Sequence, residues 1–327
     1  MTDISPADQA DLELFCDLKG LSDLSPSMVL QHGPDAVLMA RVQGRLLARA
    51  SLWWRQAPAL RGERVGLIGH YAAQDSRSAI AILDDACRAL ALQGCSLAVG
   101  PMDGSTWRRY RLLVERGDAP PFFLEPDNPD DWPLHFEAAG FRSFARYYSS
   151  INEDNARCKD RSGLMQRVER AGYTLRPLSS GDIEAELDRL WQVSSVAFRD
   201  NFLYVPISQA EFLELYTPLV RQVKPELVLI MERQGTPVAF CLALPDLLQA
   251  KRGQRVDTVI VKSIAVHESH RGKGLAAVML AQINRTARAL GMHRTIHALM
   301  QEDNASRLLD RPVMKDFRRY SLYAKAL

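Results

Sequence analysis

The sequence predicts an α/β protein made of two copies of one plan, each a mixed, mostly antiparallel sheet flanked by helices. Three observations lead there. A β-hairpin pattern occurs twice, a strand–helix–strand pattern follows it twice, and the composition is that of an ordinary globular chain. The 327 residues are 47% hydrophobic, 24% charged and 8% aromatic, which excludes disordered and fibrous classes. That length suggests two domains. Lys+Arg 41 against Asp+Glu 39 leaves a net +2. No general pull toward nucleic acid and no polybasic membrane anchor is therefore expected.

The hairpins come first. Val37–Ala48 is a run of strand formers broken at Gln43-Gly44, and Val228–Ala239 repeats it at an offset of 191, broken at Gln234-Gly235. Glycine supplies the positive φ of a tight turn. Val65–His70 then reads as a strand and Ser76–Leu92 as a helix, with Ile80, Leu83, Cys87 and Leu90 at helical spacing and a stop at Gly94. Val256–Val266 and Leu275–Leu290 match them, with a stop at Gly291. The stops are 197 apart, and the six extra residues fit a longer connection around Leu247–Gln254. Ser96–Val99 and Arg294–Leu299 are the strands leaving the two helices.

Tyr147–Ile151 closes the first copy, and Asn152–Ser162 is a polar linker. Leu164–Ala171 forms a short bridging helix. Tyr173–Pro177 opens the second copy as a strand, an amphipathic helix covers about Ile183–Phe198, and Arg318–Lys325 alternates as a closing strand. The expected division is residues 1–155, a bridging segment 156–172 and residues 173–327. The five cysteines, Cys16, Cys87, Cys95, Cys158 and Cys241, form no CxxC pair, so no zinc or redox site is expected. Cys241 reads as core. The start of the chain is acidic without an apolar run, and no stretch approaches about 18 apolar residues, so a cytoplasmic protein is expected.

The stretch that carries chemistry is Ile264-Ala-Val-His-Glu-Ser-His-Arg271-Gly-Lys-Gly274-Leu-Ala276. It ends a strand and opens a helix, where N–H groups lie free. Gly272 and Gly274 let a ligand approach the backbone. The helix dipole favours an anion, most naturally a pyrophosphate, and Arg271 and Lys273 add positive charge. The spacing is neither that of a P-loop nor that of a dinucleotide fold.

This stretch resembles the acetyl-CoA signature R/Q-x-x-G-x-G/A of the GCN5-related N-acetyltransferase (GNAT) superfamily. The residues from about 173 to 327 follow that family's element order, and Asp200-Asn201 to Pro206, Leu244-Pro245-Asp246 and Glu302-Asp-Asn304 resemble a tandem-GNAT group. The resemblance implies two GNAT-like domains and acetyl transfer from acetyl-CoA to a small-molecule or peptide amine by direct attack. Ile264 and Val266 would offer backbone bonds to the pantetheine arm. Arg271, Gly272, Lys273, Gly274, Leu275 and Ala276 would hold the pyrophosphate, and Asn304 and Ser306 would stand near the thiol. The family's usual acid, a tyrosine of the penultimate helix, falls near Arg311-Pro312, where no tyrosine stands. Tyr320 and Tyr323 are substitutes, and His267, with Glu268 and His270, is the nearest base. Asp200, Asn201 and Tyr204 are the acceptor candidates, with Trp53-Trp54 as a further apolar lining.

At the offset of 197, Arg77 falls on Gly274, so the first copy is expected to be degenerate for CoA. His293 and His297 fall on a strand, and no metal is expected there. Two rivals stand beside acetyl transfer. One is a longer-chain N-acyltransferase using acyl-CoA or an acyl-carrier protein, and the other a non-catalytic acyl-CoA sensor.

Overall fold

Gln43 and Gly44 have φ of 50° and 78°, and Gln234 and Gly235 have 53° and 76°. Both hairpin turns are thus left-handed at both central residues, the twist that joins two antiparallel strands tightly. The computed structural model describes residues 3–6, 11–18, 24–222, 224–303 and 311–327. The first half contains β1 (Asp3–Pro6), α1 (Leu12–Asp17), α2 (Pro26–His32), β2 (Ala36–Val42), β3 (Arg45–Trp53), β4 (Val65–Ala73) and α3 (Ser76–Leu92). It goes on through β5 (Leu97–Gly100), β6 (Leu112–Glu115), α4 (Trp132–Ala138) and β7 (Arg142–Asn152).

Helix α5 (Ser162–Arg170) bridges to the second half. There follow β8 (Tyr173–Pro177), α6 (Ile183–Ala197), α7 (Gln209–Val220), β9 (Val228–Arg233), β10 (Thr236–Pro245) and α8 (Leu247–Lys251). The described residues end with β11 (Thr258–Val266), α9 (Leu275–Ala289), β12 (Arg294–Gln301) and β13 (Lys315–Ala326). The expected helix Ser76–Leu92 and the strands β8 and β11 lie where the sequence puts them. Pattern reading overlooked β6, α4 and α7, which are short or carry little periodicity.

The fold is the mixed, mostly antiparallel sheet flanked by helices that the sequence predicts. The two copies do not keep separate sheets, however. Among the described residues the strands join in the order β1-β2-β3-β4-β5-β13-β7-β12-β11-β10-β9-β8, with β6 on β13. Among the described strands only β4–β5 and β11–β12 are parallel pairs. The closing strands are exchanged. Strand β7, from the first half, pairs with β12 through Asn152–Tyr147, while β13, from the second, pairs with β5 through Gly100–Leu97. They also pair with each other over Arg142–Ile151.

Helices α1, α3 and α4 cover one face of the first half, where Phe15, Ile82, Trp132 and Phe136 are buried. In the second half, α6 and α7 cover one face of the sheet and α9 the other. Cys241 is buried in the latter core, and burial pushes its thiol up to about 12. An ion pair locks the exchange in place. Arg318 on β13 donates to the Glu125 carboxylate at 2.9 Å and to the carbonyls of Arg116, Ala119 and Pro120, with both charged side chains fully buried.

Candidate active site

Strand β11 runs into α9 through the loop singled out in the sequence. Gly272 and Gly274 have φ of 77° and 80°, a region that side chains disfavour. Gly274 is the N-cap of α9 and makes no side-chain cap bond, so the first N–H groups of the helix remain available to an anion. Nothing lies within 4 Å of where a Cβ on Gly272 would point, whereas Leu164 of α5 is 3.0 Å from that position on Gly274. Arg271, Gly272 and Lys273 are exposed, Leu275 is buried in the core and Ala276 is half-buried. Arg271 also donates from Nη2 to the carbonyl of Ala197 at 3.0 Å, tying the loop to the end of α6.

The first half lacks this loop. Two residues, Gln74-Asp75, join β4 to α3, against eight, His267–Gly274, between β11 and α9. The connections from β3 to β4 and from β10 to β11 are nearly equal, at 11 and 12 residues. The expectation that the second copy's extra residues lie around Leu247–Gln254 is thus corrected: most of them make the loop itself. Arg77 is accordingly a residue within α3, whose N-terminus is capped by Asp75, which accepts from Ser78 N–H at 2.8 Å. A carboxylate already occupies the place an anion would take.

Beside the loop the sheet opens. Strand β11 pairs with β12 only over Thr258–Val261, then stays with β10 as far as Val266 while β12 follows β7. His267 N–H donates to Val238 at 2.8 Å. Alternation along the ladder therefore turns the N–H groups of Ile264 and Val266 to the open edge. In the first half the same opening is filled: Met102 N–H donates to Ile68 at 2.8 Å, and Asp103 accepts from His70 N–H at 2.6 Å.

The opening in the second half leads to a chamber of about 270 Å³, near the lower end of the roughly 300–1,000 Å³ usual for ligand pockets. Both halves line it. Trp107, Arg111, Phe122 and Tyr147 come from the first, and Phe198, Tyr204, Tyr216 and Lys262 from the second. Trp107 is held by its indole N–H, which donates to Val205 at 2.9 Å. The Arg111 guanidinium lies 3.9 Å from the Tyr110 ring and 4.2 Å from that of Tyr147, and donates to Leu299 at 3.2 Å. Lys262 is an inserted residue in β11: Ser263 stands opposite Leu242 and Val261 opposite Ala243. Burial and then the Arg111 charge lower the Lys262 pKa to about 8.

The predicted residues divide by place. Asn201 and Tyr204 line the chamber together with Ile264, while Asp200 does not and is exposed. Tyr320 is buried behind the chamber wall. Its hydroxyl donates to Glu125 at 2.5 Å and meets Ser149 Oγ at 3.1 Å, which itself accepts from Leu299 N–H at 3.0 Å. Burial and the Glu125 charge raise its pKa well above the usual phenol range. Tyr323 is not brought to the site: it packs in the first half's core, because β13 pairs there with β5, and its hydroxyl donates to Glu137 at 3.3 Å. His267 stays on the loop with its Nδ1 2.8 Å from Ser269 Oγ, outside the chamber lining.

Trp53 is buried in the first half and donates to the His32 carbonyl. Neither it nor Trp54 lines the chamber. Asn304 and Ser306 lie outside the described residues. His293 is exposed before β12 and His297 is buried on it, and among the described residues no cluster of three or more metal-ligating side chains occurs. Sequence reading missed Lys262, Arg111, Trp107 and Phe122. Only Lys262 left a signal, as a lone charge inside the apolar run Thr258–Val266.

Residues 189–311 match the model of the Acetyltransferase (GNAT) family. That stretch, within the second half of the chain, is thus similar to the GNAT family. A tandem GNAT protein from the clavulanic acid biosynthesis pathway superposes over 100% of this chain and 98% of its own, with a TM-score of 0.54 at 11% identity. A GCN5-related N-acetyltransferase from Sphaerobacter thermophilus does so over 99% and 95%, with a TM-score of 0.50 at 13% identity. At such identities the likeness is one of fold. In sequence the chain is 23% identical to Protein YghO of Escherichia coli over 88% of this chain and 80% of that one. It is 27% identical to a bacterial ceramide synthase of Caulobacter vibrioides over 58% of this chain, and the match spans half of that protein. Among the described residues no helix is long and apolar enough to cross a membrane.

Proposed function

We propose that this protein transfers an acyl group from acyl-CoA to the nitrogen of an amine acceptor, a small molecule or peptide. One observation carries this: the uncapped glycine loop, the open edge of β11 and the chamber follow one another along a single strand. Arg271 to Ala276 would hold the pyrophosphate of CoA, and the N–H groups of Ile264 and Val266 the pantetheine arm. The thioester would reach Lys262, four residues and about 13 Å further along the strand. The reaction then rests on positioning thioester and amine together in the chamber.

Residues 1–155 supply the acceptor-side wall, residues 156–172 the bridge, and residues 173–327 the one CoA site of the chain. A reducing cytoplasm suits the five free cysteines. Acetyl-CoA is the donor proposed. A longer acyl chain is the second reading, favoured by the ring-lined chamber and by the relative that is a ceramide synthase. The full chain, offered acyl-CoAs from acetyl to palmitoyl and a panel of primary amines, should release free thiol and form amide. The chain length that turns over fastest decides between donors. CoA binding without thiol release from any pair would instead make the protein an acyl-CoA sensor.

A further inference from the structure

Lys262 has no role in the loop or in the open edge of β11, yet the fold brings it into the chamber. It does so by an irregularity: the extra residue in β11 breaks the alternation of the strand at this point. A lysine among Phe122, Phe198, Tyr216 and Ile260 costs free energy unless an anion meets it. Among the described residues none does, since those that line the chamber include no aspartate or glutamate. The titratable and charged groups that face it from the neighbouring elements are Tyr110 and Arg111 before β6, Tyr147 on β7, Tyr204 after α6, Tyr216 on α7 and His297 on β12. Burial raises the phenol pKa of Tyr147, Tyr204 and Tyr216, so they stay protonated and serve as donors. Arg111 is a lasting cation.

We propose that Lys262 is the proton acceptor for the amine substrate and afterwards the proton donor to the departing thiolate; this rests on the acyl-transfer reading above. An amine arriving as ammonium meets Arg111 and, among the described residues of the lining, no carboxylate, so they favour its neutral form. The ammonium N–H proton passes to the neutral Nζ of Lys262. The freed nitrogen lone pair forms the C–N bond at the thioester carbon, the C–S bond breaks with its electron pair leaving on sulfur, and the nitrogen's second proton is lost to solvent. Lys262 returns its proton to the sulfur, and amide, free CoA and one proton are the net products. A lysine can cycle in this way near neutral pH because burial and Arg111 hold its pKa near 8.

Lys262→Met and Lys262→Arg in the full chain test this with two acceptors, an alkyl amine and an aromatic amine that is already neutral at assay pH. The expected result is a fall of roughly 10²–10⁴-fold in kcat/KM for the alkyl amine, a smaller fall for the aromatic amine, which loses only the proton donor to sulfur, and unchanged CoA affinity. Carbon-13 NMR of reductively methylated protein should show one lysine resonance, absent from Lys262→Met, that titrates near 8, against about 10.4 for exposed lysines. Lys262's role is overturned if the variants lose both acceptors equally, if they keep parental rates, if that resonance titrates as an exposed lysine, or if His297→Gln rather than Lys262→Met abolishes the pH dependence. A parent protein that transfers to no amine overturns the acyl-transfer reading, and this role with it.

Discussion

Gly272→Ala and Gly235→Ala form a matched pair that separates backbone strain from ligand binding. Both glycines have positive φ, 77° and 76°, and neither has an atom within 4 Å of where a Cβ would point. A methyl group therefore costs each site the same local strain, about 1–2 kcal/mol, and the two variants should melt within a degree or two of each other. They differ in position. Gly235 turns the β9–β10 hairpin, whereas Gly272 stands in the loop before α9. If that loop holds the CoA pyrophosphate, the new methyl points into the approach path and prevents one or two charge-assisted N–H bonds. Each is worth about 1.5–3 kcal/mol, so CoA affinity should fall by roughly ten- to a hundredfold or more in Gly272→Ala and stay at the parental value in Gly235→Ala. Titration calorimetry with CoA, beside thermal melting, reads both quantities. Equal CoA affinity in two variants of equal stability would refute the phosphate-loop assignment.

Glu125→Ala leaves Arg318 buried and unpaired and should cost about 3–5 kcal/mol, a large share of a typical stability; a urea midpoint unchanged from the parent would refute the pairing's importance. Residues 162–327 alone leave β12 and β13 without β7 and β5, so this fragment should be insoluble by itself and recovered when co-expressed with residues 1–161; a soluble fragment with parental acyl transfer would show the exchanged strands to be dispensable. The first half also predicts acid sensitivity. His32 Nδ1 lies 2.7 Å from His70 Nε2, and His70 Nδ1 lies 2.9 Å from Ser51 Oγ. Burial first, then neighbouring cations, lowers these histidines to about 4 and about 3, below an unfolded value of about 6.5. Their contribution is whole above pH 6.5 and is lost as the pH falls from there toward 4 and 3, at up to about 1.4 kcal/mol per unit for each. Buried Asp103, its pKa raised by burial, opposes that slope, so the measurement is a comparison: Tm should fall less steeply between pH 7 and 4 in His70→Asn, a residue that tolerates the positive φ found there, and parallel slopes would count against the histidine pair.

The sequence by itself determined what short-range sterics decide. The Gln-Gly turns announce two hairpins, because left-handed backbone is cheap only for a few residues. The apolar spacing from Ser76 to Leu92 sets a helix that ends before Gly94. Gly272 and Gly274 between a strand and a helix mark a loop with left-handed backbone, which is why its shape could be read without a structure. The first copy's lack of that loop was legible only as a misfit at Arg77. Tertiary structure alone decided the rest, because strand pairing is a choice among distant partners that carry similar patterns. Strand β13 alternates equally well beside either half, and only the pairing with β5 sends Tyr323 into a core rather than to a chamber. The inward turn of Lys262 depends on a one-residue slip between β10 and β11. The chamber itself exists because Trp107, Arg111 and Phe122, more than a hundred residues before β11, are carried to it by the exchanged strands. No periodicity along the chain records such a meeting, since burial is settled by what the folded sheet places side by side.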